Sequence, residues 1–197
     1  MSAHLYIEGG ESKTDQILCR KAFSSLLQKA GLAGRLPRLT ASGSRNATFD
    51  GFKTAHHGNR SGAFVAMLVD SEDPVENIGE PWPHLKKRDG WDQPLGAGDD
   101  QALLMVTSME TWIAADRDAL TRHYGKQLQE NALPPLYDLE ARHRHSVHGQ
   151  LEHATRNCSN AYRKGKRSFE LLETLNVTAL AQLPSFARFI RILKDRL

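Results

Sequence analysis

The chain has 197 residues, 40% of them hydrophobic and 25% charged, and 26 Lys or Arg against 23 Asp or Glu leave a formal charge of +3. That length suits one compact domain with a true core, the composition is that of an ordinary globular protein, and the net charge alone is too weak to argue for nucleic acid. Cys19 and Cys158 stand far apart with no paired spacing, so buried thiols are expected; no apolar run approaches the ~20 residues of a membrane helix and the start has no basic leader, so a cytoplasmic protein is expected.

His4 to Glu8 reads as a short apolar strand stopped by Gly9 and Gly10. Ser12 or Thr14 can cap the helix that follows to about Ala30, where Ile17, Leu18, Ala22, Leu26 and Leu27 recur at helical spacing before Gly31 ends it. Arg38 to Ser42 reads as a second strand, and Ser44 to about His56 as a second helix with Phe49 and Phe52 on one side. Ala63 to Val69 is apolar throughout, the pattern of a strand covered on both faces in a parallel sheet. Residues 74–99, rich in proline and glycine and holding Trp82 and Trp91, read as a long irregular, lid-like excursion. Ala102 to Thr107 reads as a fourth strand, and Ser108 caps a helix carrying Glu110, Trp112 and Ile113. This alternation is that of a doubly wound α/β sheet. Beyond Gly125 the pattern is helical and basic, with Pro134 and Pro135 as a hinge.

Three acidic positions fall where strands end: Glu8 after the first, Asp70, Glu72 and Asp73 after the third, and Glu110 just past the fourth. In a parallel sheet every strand C-terminus lies along one edge, the edge where ligands bind. Carboxylates gathered there raise one another's pKa unless a cation neutralises them, and oxygen-only ligands suit Mg²⁺ or Mn²⁺. Asp73, ahead of Pro74, also fits a plain turn or cap, and Glu110 fits a first-turn acid at a helix N-terminus.

The segments Leu5–Gly10 (LYIEGG), Met67–Asp73 (MLVDSED) and Met105–Asp116 (MVTSMETWIAAD) together resemble the DUF4276 family, a small prokaryotic group of Toprim-like proteins. Tyr162 to Leu175 (YRKGKRSFELLETL) also resembles a segment that follows the core in that group. Toprim domains supply the catalytic centre of topoisomerases, bacterial primases and the overcoming-lysogenization-defect nucleases, with a glutamate after strand one and Asp-x-Asp after strand three. Glu8 matches the first and Asp70 with Glu72 the second, glutamate standing where the pattern has its second aspartate; the helix signature adds Glu110 and Asp116. The resemblance implies a Toprim-like, doubly wound, mainly parallel sheet with helices on both faces. It divides the chain into a metal-binding core over 1–125, with the insertion 74–99, and a helical basic part over 126–197.

Residues 141–167 concentrate Arg142, Arg144, Arg156, Arg163, Lys164, Lys166 and Arg167 against few acids. Arg163, Lys164, Lys166 and Arg167 are the candidate contacts to a phosphate backbone, with Lys13 and Lys53 weaker ones, although an exposed helix end explains such a cluster too. His143, His145, His148 and His153 do not give a zinc pattern, since on a helix His143 and His145 point apart and no cysteine is near. Trp112 reads as core; Trp82 and Trp91 suit either stacking on bases or a small core beneath the excursion. No GxxxxGK[ST] is present.

The expectation is therefore a Mg²⁺- or Mn²⁺-dependent nuclease or nickase. Glu8, Asp70, Glu72 and Glu110 hold metal, Glu8 doubles as acid or base, and Lys164 or Lys166 meets the scissile phosphate. By resemblance the partners are nucleic acid, DNA foremost, and a separate ABC-type ATPase in anti-phage defence. The rival expectation is a non-catalytic module that binds nucleic acid or such an ATPase through its basic C-terminal part.

Overall fold

The computed structural model of the chain describes residues 3–59 and 62–197, so positions 1–2 and 60–61 of the expected 1–125 core lie outside the described residues. Strand β1 (Ala3–Ile7) is followed by α1 (Lys13–Leu27), β2 (Arg38–Ala41), α2 (Arg45–His57) and β3 (Phe64–Asp70). Helix α3 (Pro81–Asp89) precedes β4 (Ala102–Met105), and α4 (Met109–Ala115) and α5 (Arg117–Tyr124) follow it. The remainder forms α6 (Arg144–Thr155), α7 (Lys166–Thr174), α8 (Val177–Leu180) and α9 (Pro184–Arg196).

The strands make one four-stranded sheet in the order β2-β1-β3-β4, and every neighbouring pair is parallel. β3 is interior, as its unbroken apolar run predicts, and its residues divide by strand alternation. Ala66 and Leu68 join an apolar cluster with α1, α4, α7 and α9, while Val65, Met67 and Val69 join a second cluster with Phe49 and Phe52 of α2. The C-terminal helices thus share their core with the sheet, through Val147, Leu171 and Phe186.

Local chemistry places the ends. Ser12 caps α1, its Oγ accepting the Asp15 N–H at 3.1 Å, and Gly31 takes the left-handed conformation (φ 89°) that stops the helix. Gly10 has φ 83°, and a Cβ there would lie 2.7 Å from the Gln16 backbone nitrogen. Only glycine makes so tight a turn from β1 into α1, and that turn leaves Glu8 at the sheet's carboxyl edge. Cys19 is fully buried in α1, and burial pushes its thiol up to about 12.

Two expectations need correction. The excursion 74–99 is not irregular throughout: α3 forms inside it, since Pro81 fits the first helical turn and Gly90 (φ 72°) caps its end. Trp82 and Trp91 are buried in the second cluster, Trp91 stacked 4.3 Å from Phe49 and Trp82 6.2 Å from Phe52, so neither ring presents a face for base stacking. Beyond Gly125, residues 125–143 are short 3₁₀ turns and loop rather than continuous helix, and regular helix resumes at Arg144. Trp112 is core, as expected, its Nε1 donating to Ser185 Oγ at 3.0 Å.

Candidate metal centre

β1 and β3 are sheet neighbours, yet the chain leaves β1 for β2 on one side and reaches β3 on the other. The carboxyl ends of β1 and β3 therefore lie side by side along one edge of the parallel sheet, the edge where such sheets bind ligands. Glu8 follows β1 there, and Asp70 ends β3.

Glu8, Asp70 and Glu72 each bring a carboxylate oxygen to within 4.8 Å of the others. Glu8 Oε2 accepts the Asp70 N–H at 3.1 Å, stitching the two strand ends together. Asp70 Oδ1 accepts the Met109 N–H at 2.9 Å, which joins β3 to the first residue of α4. Glu72 adopts φ 70°, unusual for a side chain with a Cβ, and its N–H is held by the Thr107 carbonyl at 2.7 Å.

Three arginines surround the carboxylates. Arg45, opening α2, reaches Glu8 Oε2 with Nη1 at 3.3 Å and donates to the Asp70 carbonyl. Its other nitrogens grip Asp89 at 2.9 and 2.6 Å, and its plane lies over Trp91. Arg88 of α3 meets Glu72 Oε2 with Nη2 at 2.9 Å, and Arg144 of α6 meets the same oxygen. Engagement thus falls on one oxygen of each carboxylate. The second oxygen of Glu8, of Asp70 and of Glu72 has no protein donor among the described residues.

Electrostatics favour a cation. Burial raises the Asp70 carboxyl well above the usual aspartate range, and the charges of Glu8 and Glu110 push it the same way. Burial also raises Glu8, against the pull of Arg45 and Lys164. Three converging carboxylates, with no sulfur or imidazole among them, could hold a metal ion. The arginines neutralise part of the cluster and engage one oxygen each of Glu8 and Glu72.

The other expected residues divide. Glu110 is buried beside Asp70 and affects it by charge, but it lies outside the close trio, and its Oε1 accepts the Tyr162 hydroxyl at 2.8 Å. Asp116 is buried away from the trio in a structural role: Oδ1 caps α5 by accepting the Ala119 N–H at 3.0 Å, and Oδ2 accepts the Asn176 N–H at 2.6 Å. Lys164 is exposed, and its charge acts on both Glu8 and Asp70. Lys166 is turned instead to Glu170, 3.7 Å away on its own helix, Arg167 donates to the Ala161 carbonyl at 2.6 Å, and Arg163 is exposed. Lys53 pairs with Asp50 at 2.9 Å, and Lys13 is exposed at the start of α1.

His143 precedes α6 rather than lying within it, so its ring sits 5.1 Å from that of His145 instead of diverging. Among the described residues no histidine joins the ligand-like trio. Arg45, Arg88 and Asp89 were not legible as site residues. Arg45 had one signal, its place directly after the Gly43 turn at the same sheet edge; Arg88 and Asp89 had none, because the path of the excursion decides where they point.

A groove of about 550 Å³ borders the site, lined among others by Asp73, Glu76, His84, Lys87 and Arg88. No helix of the described residues is long and apolar enough to cross a membrane. No curated protein and no solved structure matches the chain. A family model described as a domain of unknown function, DUF4276, matches residues 10–194. With nearly its whole length matched, the chain belongs to the DUF4276 family.

Proposed function

We propose that this protein is a Mg²⁺- or Mn²⁺-dependent nuclease or nickase of the Toprim type, with a doubly wound Toprim-like core. One observation carries the reading: carboxylate oxygens of Glu8, Asp70 and Glu72 lie within 4.8 Å of one another at the sheet's carboxyl edge, each with a second oxygen unclaimed. The order of the acids, one after β1 and two after β3, is that of the Toprim pattern.

In this reading Glu8, Asp70 and Glu72 hold the ion, and the nearby Glu110 charge adds to the field that an ion at Asp70 would neutralise. Such an ion would polarise a phosphoryl oxygen and lower the pKa of a bound water. Asp70 is fixed by the Met109 N–H and is costly to ionise without a cation. Glu8, whose carboxyl is raised by burial, is suited to take or return a proton at Oε1. Lys164 offers the positive charge that draws a phosphodiester toward an otherwise acidic edge. DNA is the proposed substrate, and a separate ABC-type ATPase, within anti-phage defence in the cytoplasm, is the proposed partner.

A second reading has an observation of its own. Arg45, Arg88 and Arg144 already neutralise part of the cluster, as a purely structural ion network does, which suits a non-catalytic module that binds nucleic acid or an ATPase. Metal dependence separates the two. Purified protein incubated with Mg²⁺ or Mn²⁺ on supercoiled plasmid and on single-stranded DNA should cut, and Glu8→Ala should not. Equal absence of cutting in both, together with no Mn²⁺ binding by calorimetry, would leave the module reading.

A further inference from the structure

Arg88 and Arg144 come from different helices, α3 and α6, and converge on one atom, Oε2 of Glu72. A single carboxylate oxygen is a poor partner for two guanidinium groups. A carboxylate can take one guanidinium as a two-pronged fork, but among the described residues neither arginine has that fork on Glu72, and Arg88 Nη1 is turned to Asp89 Oδ1 instead. Arg88 Nε is buried without a hydrogen bond, its approach to Asp73 Oδ2 being 3.8 Å. Both side chains remain open to solvent, at 26% and 33% exposure. They stand beside Glu72, whose carboxylate also belongs to the close trio with Glu8 and Asp70.

We propose that Arg88 and Arg144 form a phosphate clamp and that the Glu72 carboxylate is its resting occupant. A phosphate group has the oxygens to take both forks and satisfies the stranded Arg88 Nε, which one carboxylate oxygen cannot do. When phosphate enters, the guanidinium groups leave Glu72 Oε2 for it. The clamp lies beside the carboxylate trio, so a phosphodiester seated there presents a neighbouring bond to that trio. The inference deepens the nuclease reading by naming what grips the substrate, and it rests on that reading only for the identity of the ligand.

The test runs in EDTA, so that metal plays no part. A short fluorescein-labelled single-stranded oligonucleotide is titrated with full-length protein and followed by anisotropy. Glu72→Gln removes the competitor and should tighten binding by about tenfold, the scale of one charge-assisted hydrogen bond. Glu76→Gln removes the same charge at an exposed position on the adjoining groove and should change affinity less than about twofold. Placing Arg88→Lys and Arg144→Lys in the Glu72→Gln background keeps the charge, loses the forks, and should abolish the gain. Inorganic phosphate as competitor identifies the source: displacement at millimolar levels assigns the clamp to small phosphate compounds, and resistance assigns it to a phosphodiester chain.

A gain in Glu72→Gln no larger than in Glu76→Gln would overturn the clamp, as would a gain that survives both lysine substitutions. Thermal melting checks that each variant is folded, and the Glu72→Gln comparison decides alone if the lysine variants are not. Failure of the metal reading looks different: Mn²⁺ binding would be absent while the Glu72→Gln gain remained.

Discussion

The Tyr162 hydroxyl donates to Glu110 Oε1 at 2.8 Å and stands 2.8 Å from Ser168 Oγ, with all three side chains buried. This clasp ties the first turn of α4 to the first turn of α7. Between Tyr162 and Ser168 runs the loop that carries Lys164, so the clasp anchors both ends of that loop. Ser168 Oγ additionally accepts the Gly165 N–H at 3.2 Å, which closes the loop on itself.

Tyr162→Phe keeps the ring and leaves the buried Glu110 carboxylate without that donor, which should cost about 1–3 kcal/mol. Urea unfolding monitored by tryptophan fluorescence measures it. A midpoint equal to that of the wild type would show the clasp contributes nothing. In the Lys164→Met background the stability loss should persist, because it arises from Glu110 and not from the lysine.

Asp70→Asn should make the metal-free protein more stable at neutral pH. The raised Asp70 pKa means that the folded state holds its proton to higher pH than the unfolded chain does. Stability therefore falls as pH rises from the ordinary aspartate range through the raised value, and the neutral amide escapes that loss. Asn Oδ1 can still accept the Met109 N–H. The melting temperature in EDTA should rise by roughly 2–4 °C, about what 1 kcal/mol gives in a domain of this size. The same substitution should remove any stabilisation by Mn²⁺, and a lower melting temperature in EDTA would contradict the account.

Lys164 and Lys166, separated in the motif only by Gly165, should separate in binding assays. The Lys164 charge acts on Glu8 and Asp70, whereas Lys166 is turned toward Glu170. Lys164→Met should lower the slope of log affinity against log salt by roughly 0.7–0.9 for oligonucleotide binding, and Lys166→Met should leave it nearly unchanged. Equal slopes for both variants would mean that the cluster acts as a diffuse field.

Asp116→Ala should destabilise without touching the metal centre. Its two oxygens cap α5 and hold the Asn176 N–H, so about 1–3 kcal/mol should be lost. The rise in melting temperature on adding Mn²⁺ should equal that of the wild type. Its loss would show that Asp116 acts on the metal centre as well as on α5.

The carboxyl-edge acids were legible because a parallel sheet lines up its strand ends whatever the loops do. An unbroken apolar run such as Ala63 to Val69 marks an interior strand, and the Gly9-Gly10 stop marks where Glu8 must emerge. The helix cap at Ser12 was legible for the same local reason, since it depends on backbone groups a few residues away, whereas Ser108, expected to cap α4, makes no side-chain cap bond.

Glu110 shows where that reasoning ends. Its position at the edge followed from the sequence, but its distance from the trio and its pairing with Tyr162 depend on how α7 packs behind α4. Arg88 and Arg144 show it further: a long excursion and a stretch of 3₁₀ turns bring them to Glu72, and neither path has a period that a sequence reveals. The sequence by itself determined which acids share an edge, because strand alternation and parallel pairing are local and periodic. Only the tertiary structure decided which cations answer them, because a side chain's partner across the core is set by the packing of whole elements and by loops with no repeating pattern.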